Sequence, residues 1–262
     1  HKNREAAGKL EARIVHNEKL RNELNAVKKE AKEAARRIEI KIPQLKDCKF
    51  HKGDRKRSEE TTIFLAEGLS AAGSIVSSRD PETQAIYTLK GKPQNLFGKT
   101  RASIYKNEEL YNMMMALGIE EDLGNLRYER VVIATDADVD GFHIRTILMT
   151  FFLTYFEELV TSGHVYILET PLFRVRNKKE THYCYDERER KRVETKLKGT
   201  AEITRFKGLG EISPKEFGQF INGDMRLVKI DVRSLATIPD TMGFYMGKNT
   251  PERRDYIMEN LV

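Results

Sequence analysis

The run Val131-Val132-Ile133-Ala134-Thr135, followed at once by Asp136-Ala137-Asp138-Val139-Asp140-Gly141, constrains this chain more than any other stretch. An apolar, β-branched run reads as a strand, and three carboxylates at alternate positions crowd the end of it. Repulsion among them would disfavour folding or raise their pKa values. A divalent, oxygen-seeking cation such as Mg²⁺ is therefore the natural compensator.

Two other readings compete for the aspartates. An EF-hand calcium loop also begins Asp-x-Asp-x-Asp-Gly, but it needs a helix before the loop and a bidentate Glu at the twelfth position. This chain has a strand and Ile147 there. The second rival, a solvated acidic turn without metal, is weakened by Glu67. That residue also stands where a β-prone run, Thr61 to Ala66, meets a glycine-bearing turn and a small-residue helix start, Gly68-Leu69-Ser70-Ala71. Alone, Glu67 reads as a helix-capping glutamate. In a parallel sheet, however, ligands gather at the carboxyl ends of strands, where Glu67 and the aspartates can face one site. The set suggests phosphodiester chemistry with one or two Mg²⁺ ions.

The chain has 262 residues, 39% of them hydrophobic and 33% charged, enough for one or two ordinary cores. The greasiest stretch, 144–160, is interrupted by Arg145, Glu157 and Glu158 and by three threonines, which argues against a membrane span. No secretory signal is visible, and His1 in a polar opening reads as the start of a fragment. Cys48 and Cys184 have no CxxC partner or histidine cluster, so neither zinc nor a disulfide framework is expected and a reducing cytoplasm fits. The net charge of +6 makes a polyanion a plausible partner without specifying one.

Along the chain, residues 5–38 read as a long helix with a seam of Leu20, Leu24, Val27, Ala31, Ala34 and Ile38, ended by Pro43. A basic linker, 47–57, leads into alternating strands and helices: strand 61–66, helix 108–117 closed by Gly118, strand 130–135, amphipathic helix 142–160 closed by Gly163, and strand 164–169. Beyond Pro171 the texture changes to short strands at 172–175, 181–185 and 201–206, with a charged helix at 187–197. Ser213-Pro214-Lys215-Glu216 marks a further helix start. The expected fold class is α/β, a Rossmann-like parallel sheet flanked by helices, with a smaller α+β or helical region after it.

These features resemble the TOPRIM domain of topoisomerases, bacterial primases and related nucleases. The resemblance extends, in order, through Thr88-Leu89-Lys90-Gly91-Lys92-Pro93-Gln94-Asn95, Thr135 to Gly141 with His143-Ile144-Arg145-Thr146, Gly163-His164-Val165-Tyr166-Ile167, Pro171-Leu172-Phe173 and Arg205-Phe206-Lys207-Gly208-Leu209-Gly210-Glu211. In that order the motifs are similar to those of the B subunits of bacterial type IIA topoisomerases. The resemblance divides the chain into a connecting helix and linker (1–58), a TOPRIM domain (59–177) and a tail region that contacts the A subunit (178–262).

The resemblance implies catalytic roles for Glu67, Asp136, Asp138 and Asp140. Glu67 and Asp136 would hold the Mg²⁺ nearer the scissile phosphate, and Asp136 and Asp138 a second ion, with Mn²⁺ or Ca²⁺ able to substitute in binding. Asp140 would support them. Lys92, Asn95, His143 and Arg253 match DNA-contacting positions, the first and last as cations and the others as hydrogen-bond donors. The implied reaction is reversible DNA transesterification within an A2B2 assembly, with the nucleophilic tyrosine on the A subunit and ATP bound in a domain outside this stretch. No glycine-rich ATP lid or P-loop is found in the sequence, and the isolated chain is expected to be inactive. Lack of a long insertion before Arg205 leans towards topoisomerase IV over gyrase. A stand-alone TOPRIM nuclease or primase and a non-catalytic DNA scaffold are the remaining alternatives. The implied location is the bacterial cytoplasm, at the nucleoid. The chain departs from the family at Leu69 (usually aspartate), Phe142 (usually serine), Thr88 (usually proline) and Gln94 (usually hydrophobic). Leu69 and Lys90 match quinolone-facing positions, so an altered drug response is expected.

Overall fold

Period-two alternation explains why two apolar runs lie side by side at the centre. Ile63 and Leu65 of one strand, with Val131 and Ile133 of the next, face one core, while Phe64, Ala66, Val132 and Ala134 face another. All eight are at most 1% exposed, so these strands are covered on both faces and have no polar side to show. The computed structural model describes residues 13–27, 42–197, 201–223, 225–232 and 235–260.

The first sheet contains six strands: β1 (Leu45–Lys46), β2 (Thr62–Glu67), β3 (Gln84–Leu89), β4 (Arg130–Ala134), β5 (Val165–Leu168) and, from far along the chain, β9 (Leu227–Lys229), in the order β1-β3-β2-β4-β5-β9. The four inner strands are parallel, and β1 and β9 run antiparallel at the two edges. The parallel sheet read from the sequence is thus the inner part of a mixed one. Three-residue and two-residue strands at its borders are too short to carry a periodic signal.

Helix α1 covers 13–27, and its Leu24 and Val27 pack on the first core. The rest of the helix expected over 5–38 lies outside the described residues. Helices α2 (Gly68–Ser78), α3 (Ala102–Tyr105), α4 (Glu108–Leu117), α5 (Val139–Tyr155) and α6 (Glu157–Thr161) follow. The single helix expected over 142–160 is two. It begins earlier because Asp138 accepts the Gly141 N–H at 2.8 Å as an N-cap. It breaks at Phe156, whose φ of −140° leaves the helix while its ring packs 5.4 Å from that of Phe151. Among the described residues, no helix is long and apolar enough to cross a membrane.

A second, antiparallel sheet has the order β7-β6-β8, from β6 (Phe173–Arg176), β7 (Thr181–Cys184) and β8 (Glu202–Arg205), with α7 (Glu187–Lys196) against it. Residue 177, where the sequence reading sets a boundary, lies in the β6–β7 turn. Helix α8 (Pro214–Ile221) then returns to α2, where Ser78 donates to the Pro214 carbonyl at 2.6 Å. Ser213 does precede α8, but its hydroxyl donates to the Glu216 carboxylate at 2.6 Å instead of capping the backbone. Helices α9 (Ile238–Met246) and α10 (Thr250–Asn260) complete the described chain.

Candidate metal centre

Strands β2 and β4 pair in register to Ala66 opposite Ala134, so the residues that follow, Glu67 and Thr135 to Asp138, leave the sheet at one level. The backbone thereby brings together carboxylates 69 positions apart at their nearest. Glu67 occupies the N-cap position of α2, yet its side chain makes no capping hydrogen bond. Its Oε2 is buried without a hydrogen-bond partner. Burial and then repulsion from Asp136, Asp138 and Asp140 push the Glu67 carboxyl above its ordinary range, against a smaller downward pull from Lys92. Asp136 is also raised, chiefly by burial. Such an electrostatic deficit suits a hard divalent cation, which would supply the missing positive charge to oxygen donors of the type it prefers.

The two outer aspartates are already partnered. Asp138 Oδ1 is the α5 cap just described, and Asp140 Oδ1 lies 2.8 Å from Lys92 Nζ. That ammonium holds the Asp140 carboxyl below its usual range by hydrogen bonding and charge. Glu67, Asp136, Asp138 and Asp140 therefore meet at one end of the sheet, with Asp140 turned to its lysine. Their oxygens do not close into a tight cage: among the described residues, only Asp47, Cys48 and His51 bring three such donor atoms within 4.8 Å of one another.

That second group is a structural knot. Asp47 accepts from Tyr128 Oη at 2.6 Å and from the Arg127 guanidinium, which also lies 2.8 Å from His51 Nε2. Burial would raise the Asp47 carboxyl, but hydrogen bonds from Tyr128, Arg127 and His51 outweigh it and hold the group at about 2. Cys48 Sγ donates to the Phe50 carbonyl, and burial raises its thiol to about 11. With an arginine already on the carboxylate, a cation is not required here.

One part of the site was not assigned a role from the sequence: the loop 207–211 closing over Asp136. The Leu209 N–H donates to Asp136 Oδ1 at 2.8 Å, and Ala137 N–H donates to the Lys207 carbonyl at 3.1 Å. Gly208 permits this approach, because a Cβ there would stand 3.0 Å from Asp136 Oδ2. Gly141 has a comparable reason to lack a side chain: a Cβ would collide with the Asp136 carbonyl. The Gly-Leu-Gly sequence after a strand was the available signal.

Of the expected DNA contacts, Lys92 and His143 are exposed beside the carboxylates. Asn95 is also exposed, but its Nδ2 donates to the Met246 carbonyl at 2.8 Å. Arg253 is turned inward: its Nη1 lies 3.0 Å from the carbonyls of Phe244, Tyr245 and Gly247 and from Asn249 Oδ1, tying α10 to the end of α9. Beside Glu67 opens a cleft of about 830 Å³ lined by residues that include Pro43, Lys46, Leu69, Val76 and Lys90.

A strand-end glutamate facing an aspartate series on the adjacent parallel strand defines a class of proteins, and residues 62–170 match the family model of the Toprim domain. Toprim domains of topoisomerases bind a divalent metal. More narrowly, the chain is similar over most of its length to the Toprim region of type IIA topoisomerase B subunits. It is 63% identical over 255 residues to the B subunit of DNA topoisomerase 4 from Borreliella burgdorferi, a match covering 97% of this chain and 43% of that protein. It is 36% identical to the B subunit of DNA gyrase from Archaeoglobus fulgidus, over 82% of this chain and 34% of the relative. The chain thus spans less than half the length of these relatives. In fold it is similar to the DNA-binding, cleavage and re-ligation domain of Plasmodium falciparum topoisomerase II, with a TM-score of 0.69 and 24% identity over 85% of this chain and 32% of that one.

Proposed function

We propose that this chain is the Mg²⁺-binding part of a topoisomerase IV-like enzyme that cleaves, passes and religates double-stranded DNA with coupling to ATP hydrolysis. The observation that carries the proposal is Glu67, whose buried oxygen has no partner and whose neighbours are aspartates from the next strand. Glu67, Asp136 and Asp138 would hold the metal, one or two ions. When bound, Mg²⁺ supplies charge neutralisation to a scissile phosphate and its leaving oxygen.

The chain's own residues prepare that chemistry. The Leu209 N–H fixes one oxygen of Asp136 and leaves the other available. Asp138 keeps α5 started at the site, and Lys92 neutralises Asp140, so that the outermost carboxylate repels an approaching phosphate less. Lys92 and His143 are the proposed phosphate contacts. Asn95 and Arg253 already donate to carbonyls of the chain, which leaves fewer of their N–H groups for DNA. In this reading the nucleophilic tyrosine and the rest of an A2B2 assembly come from an A subunit, ATP binds in a preceding domain, and the enzyme works in the bacterial cytoplasm. The units 1–58, 59–177 and 178–262 serve as connector, metal-binding domain and partner-contacting tail.

Identity of 63% to a topoisomerase IV relative, against 36% to a gyrase relative, favours the first of two related activities. The deciding experiment combines the full-length B subunit with its A subunit. ATP-dependent unlinking of catenated circles without net negative supercoiling is expected. Negative supercoiling would assign it to gyrase, and metal-dependent nicking by the isolated chain would assign it to a stand-alone nuclease.

A further inference from the structure

Three large apolar side chains stand in water at the metal centre. Leu69 is 85% exposed, Val139 84% and Phe142 55%. Single exposed apolar residues need no explanation. These three, however, lie in the first turns of α2 and α5, each within two residues of Glu67, Asp138 or Asp140. Because β2 and β4 are adjacent, the two helix starts share one rim. Phe142 is also held there. The Arg145 guanidinium lies 5.0 Å from its ring centroid, and Arg145 is itself half-buried and anchored 3.4 Å from Thr135 Oγ1. Gly141, pressed against the Asp136 backbone, fixes the turn from which the ring projects.

We propose that Phe142 is a DNA-contacting side chain that wedges against the base step beside the phosphodiester held at the carboxylates, and thereby sets which base steps are cut. This rests on the DNA-cleaving reading above. The rim is acidic at its centre, so phosphates away from the metal are repelled, and a contact that carries no charge is the compatible way to hold sugar and base. The Arg145 cation lies against the ring, and Lys92 is bonded to the neighbouring Asp140, a setting that matches a polyanion better than an apolar protein partner. Aromatic and aliphatic side chains placed this way unstack flexible steps and stack on bases without needing a hydrogen-bond code. Where the family it resembles usually has serine, this chain carries a ring, so the base preference would follow Phe142.

The test uses the full-length B subunit with its A subunit, a library of duplexes for cut-site mapping, and a duplex carrying 2-aminopurine next to a strong cut site. Wild type should show a biased cut map and a rise in 2-aminopurine fluorescence on binding. Phe142→Ser should flatten the bias within a few base pairs of the cut, abolish the fluorescence rise and weaken DNA binding about 5-fold. Phe142→Tyr should keep all three. A cut map and fluorescence response unchanged in Phe142→Ser overturn the inference. So does loss of association with the A subunit in that variant with the cut map intact, which would make the partner subunit the occupant. If wild type itself makes no Mg²⁺-dependent cuts, the DNA-cleaving reading fails, and the inference fails with it.

Discussion

Two glutamates, one at the end of β2 and one on α8, receive opposite treatment. Glu216, on α8 beside the second sheet, accepts from Arg174 Nη1 at 2.8 Å, Tyr183 Oη at 2.9 Å and Ser213 Oγ at 2.6 Å. Partial burial would raise its carboxyl, but those bonds overcome the effect and hold it at about 2. Glu67, at the end of β2, has an oxygen buried without any partner, and its carboxyl is raised by burial and by like charges. The chain can satisfy a half-buried carboxylate when the fold needs one. At Glu67 it does not, which is the arrangement the proposed metal ligand requires.

The contrast between the two glutamates can be broken at several points. The largest effect is expected from Asp138→Asn, which retains an N-cap for α5 while removing the charge. Metal-dependent DNA cleavage by the reconstituted enzyme should fall about 100-fold, equivalent to about 3 kcal/mol, with little change in thermal midpoint. Wild-type cleavage at limiting Mg²⁺ would remove Asp138 from the metal set. Arg174→Ala should do the reverse. Urea unfolding should show a loss of about 2 to 3 kcal/mol, since the Glu216 and Arg174 side chains are only 17% and 19% exposed and the carboxylate loses its cation.

Acid should act on the same pair. A folded-state pKa held below the ordinary value contributes stability that is present above the ordinary value and disappears as pH falls through the folded one. For Glu216 that window runs from the ordinary value of 4.5 down to about 2, and the loss is on the order of 2 kcal/mol. Stability measured across this range in wild type and Glu216→Gln should differ in slope, and equal slopes would dissociate Glu216 from acid stability. Gly208→Ala, which puts a Cβ against Asp136, should raise the Mg²⁺ needed for half-maximal cleavage about 10-fold; an unchanged requirement would mean that the loop does not orient Asp136. The smallest effect, about 0.5 to 1 kcal/mol of added stability without metal, is expected for Glu67→Gln, because repulsion with the aspartates is relieved. Destabilisation there would contradict the idea that Glu67 is left unpaired at a cost.

Much of this was legible because periodicity and punctuation are local signals. The runs at β2 and β4, the helix α4 closed by Gly118 and the strand-end carboxylates all follow from neighbours in sequence. The Toprim architecture followed from them. What was not legible depends on distant residues. The edge strands β1 and β9 are short and take their direction from the strands they join. The break at Phe156 is decided by aromatic packing, with ring contacts to Phe151 and the Tyr155 hydroxyl on the Leu96 carbonyl. Arg253 looks from the sequence like a free cation, and only the folded α9–α10 turn offers it carbonyls. The hold of Leu209 on Asp136 joins positions 73 apart and has no periodic trace.

The segment 207–221 grips the structure around the site at two places. Its first residues hold Asp136 through Leu209, and its helix lies on α2, the helix that begins beside Glu67, with Ser74 and Ser78 fastened to Ile212 and Pro214. It therefore works like the back of a pair of callipers whose jaws are the two strand ends. The helix that starts at Glu67 and the carboxylate of Asp136 are thus braced by one piece of chain that carries neither residue.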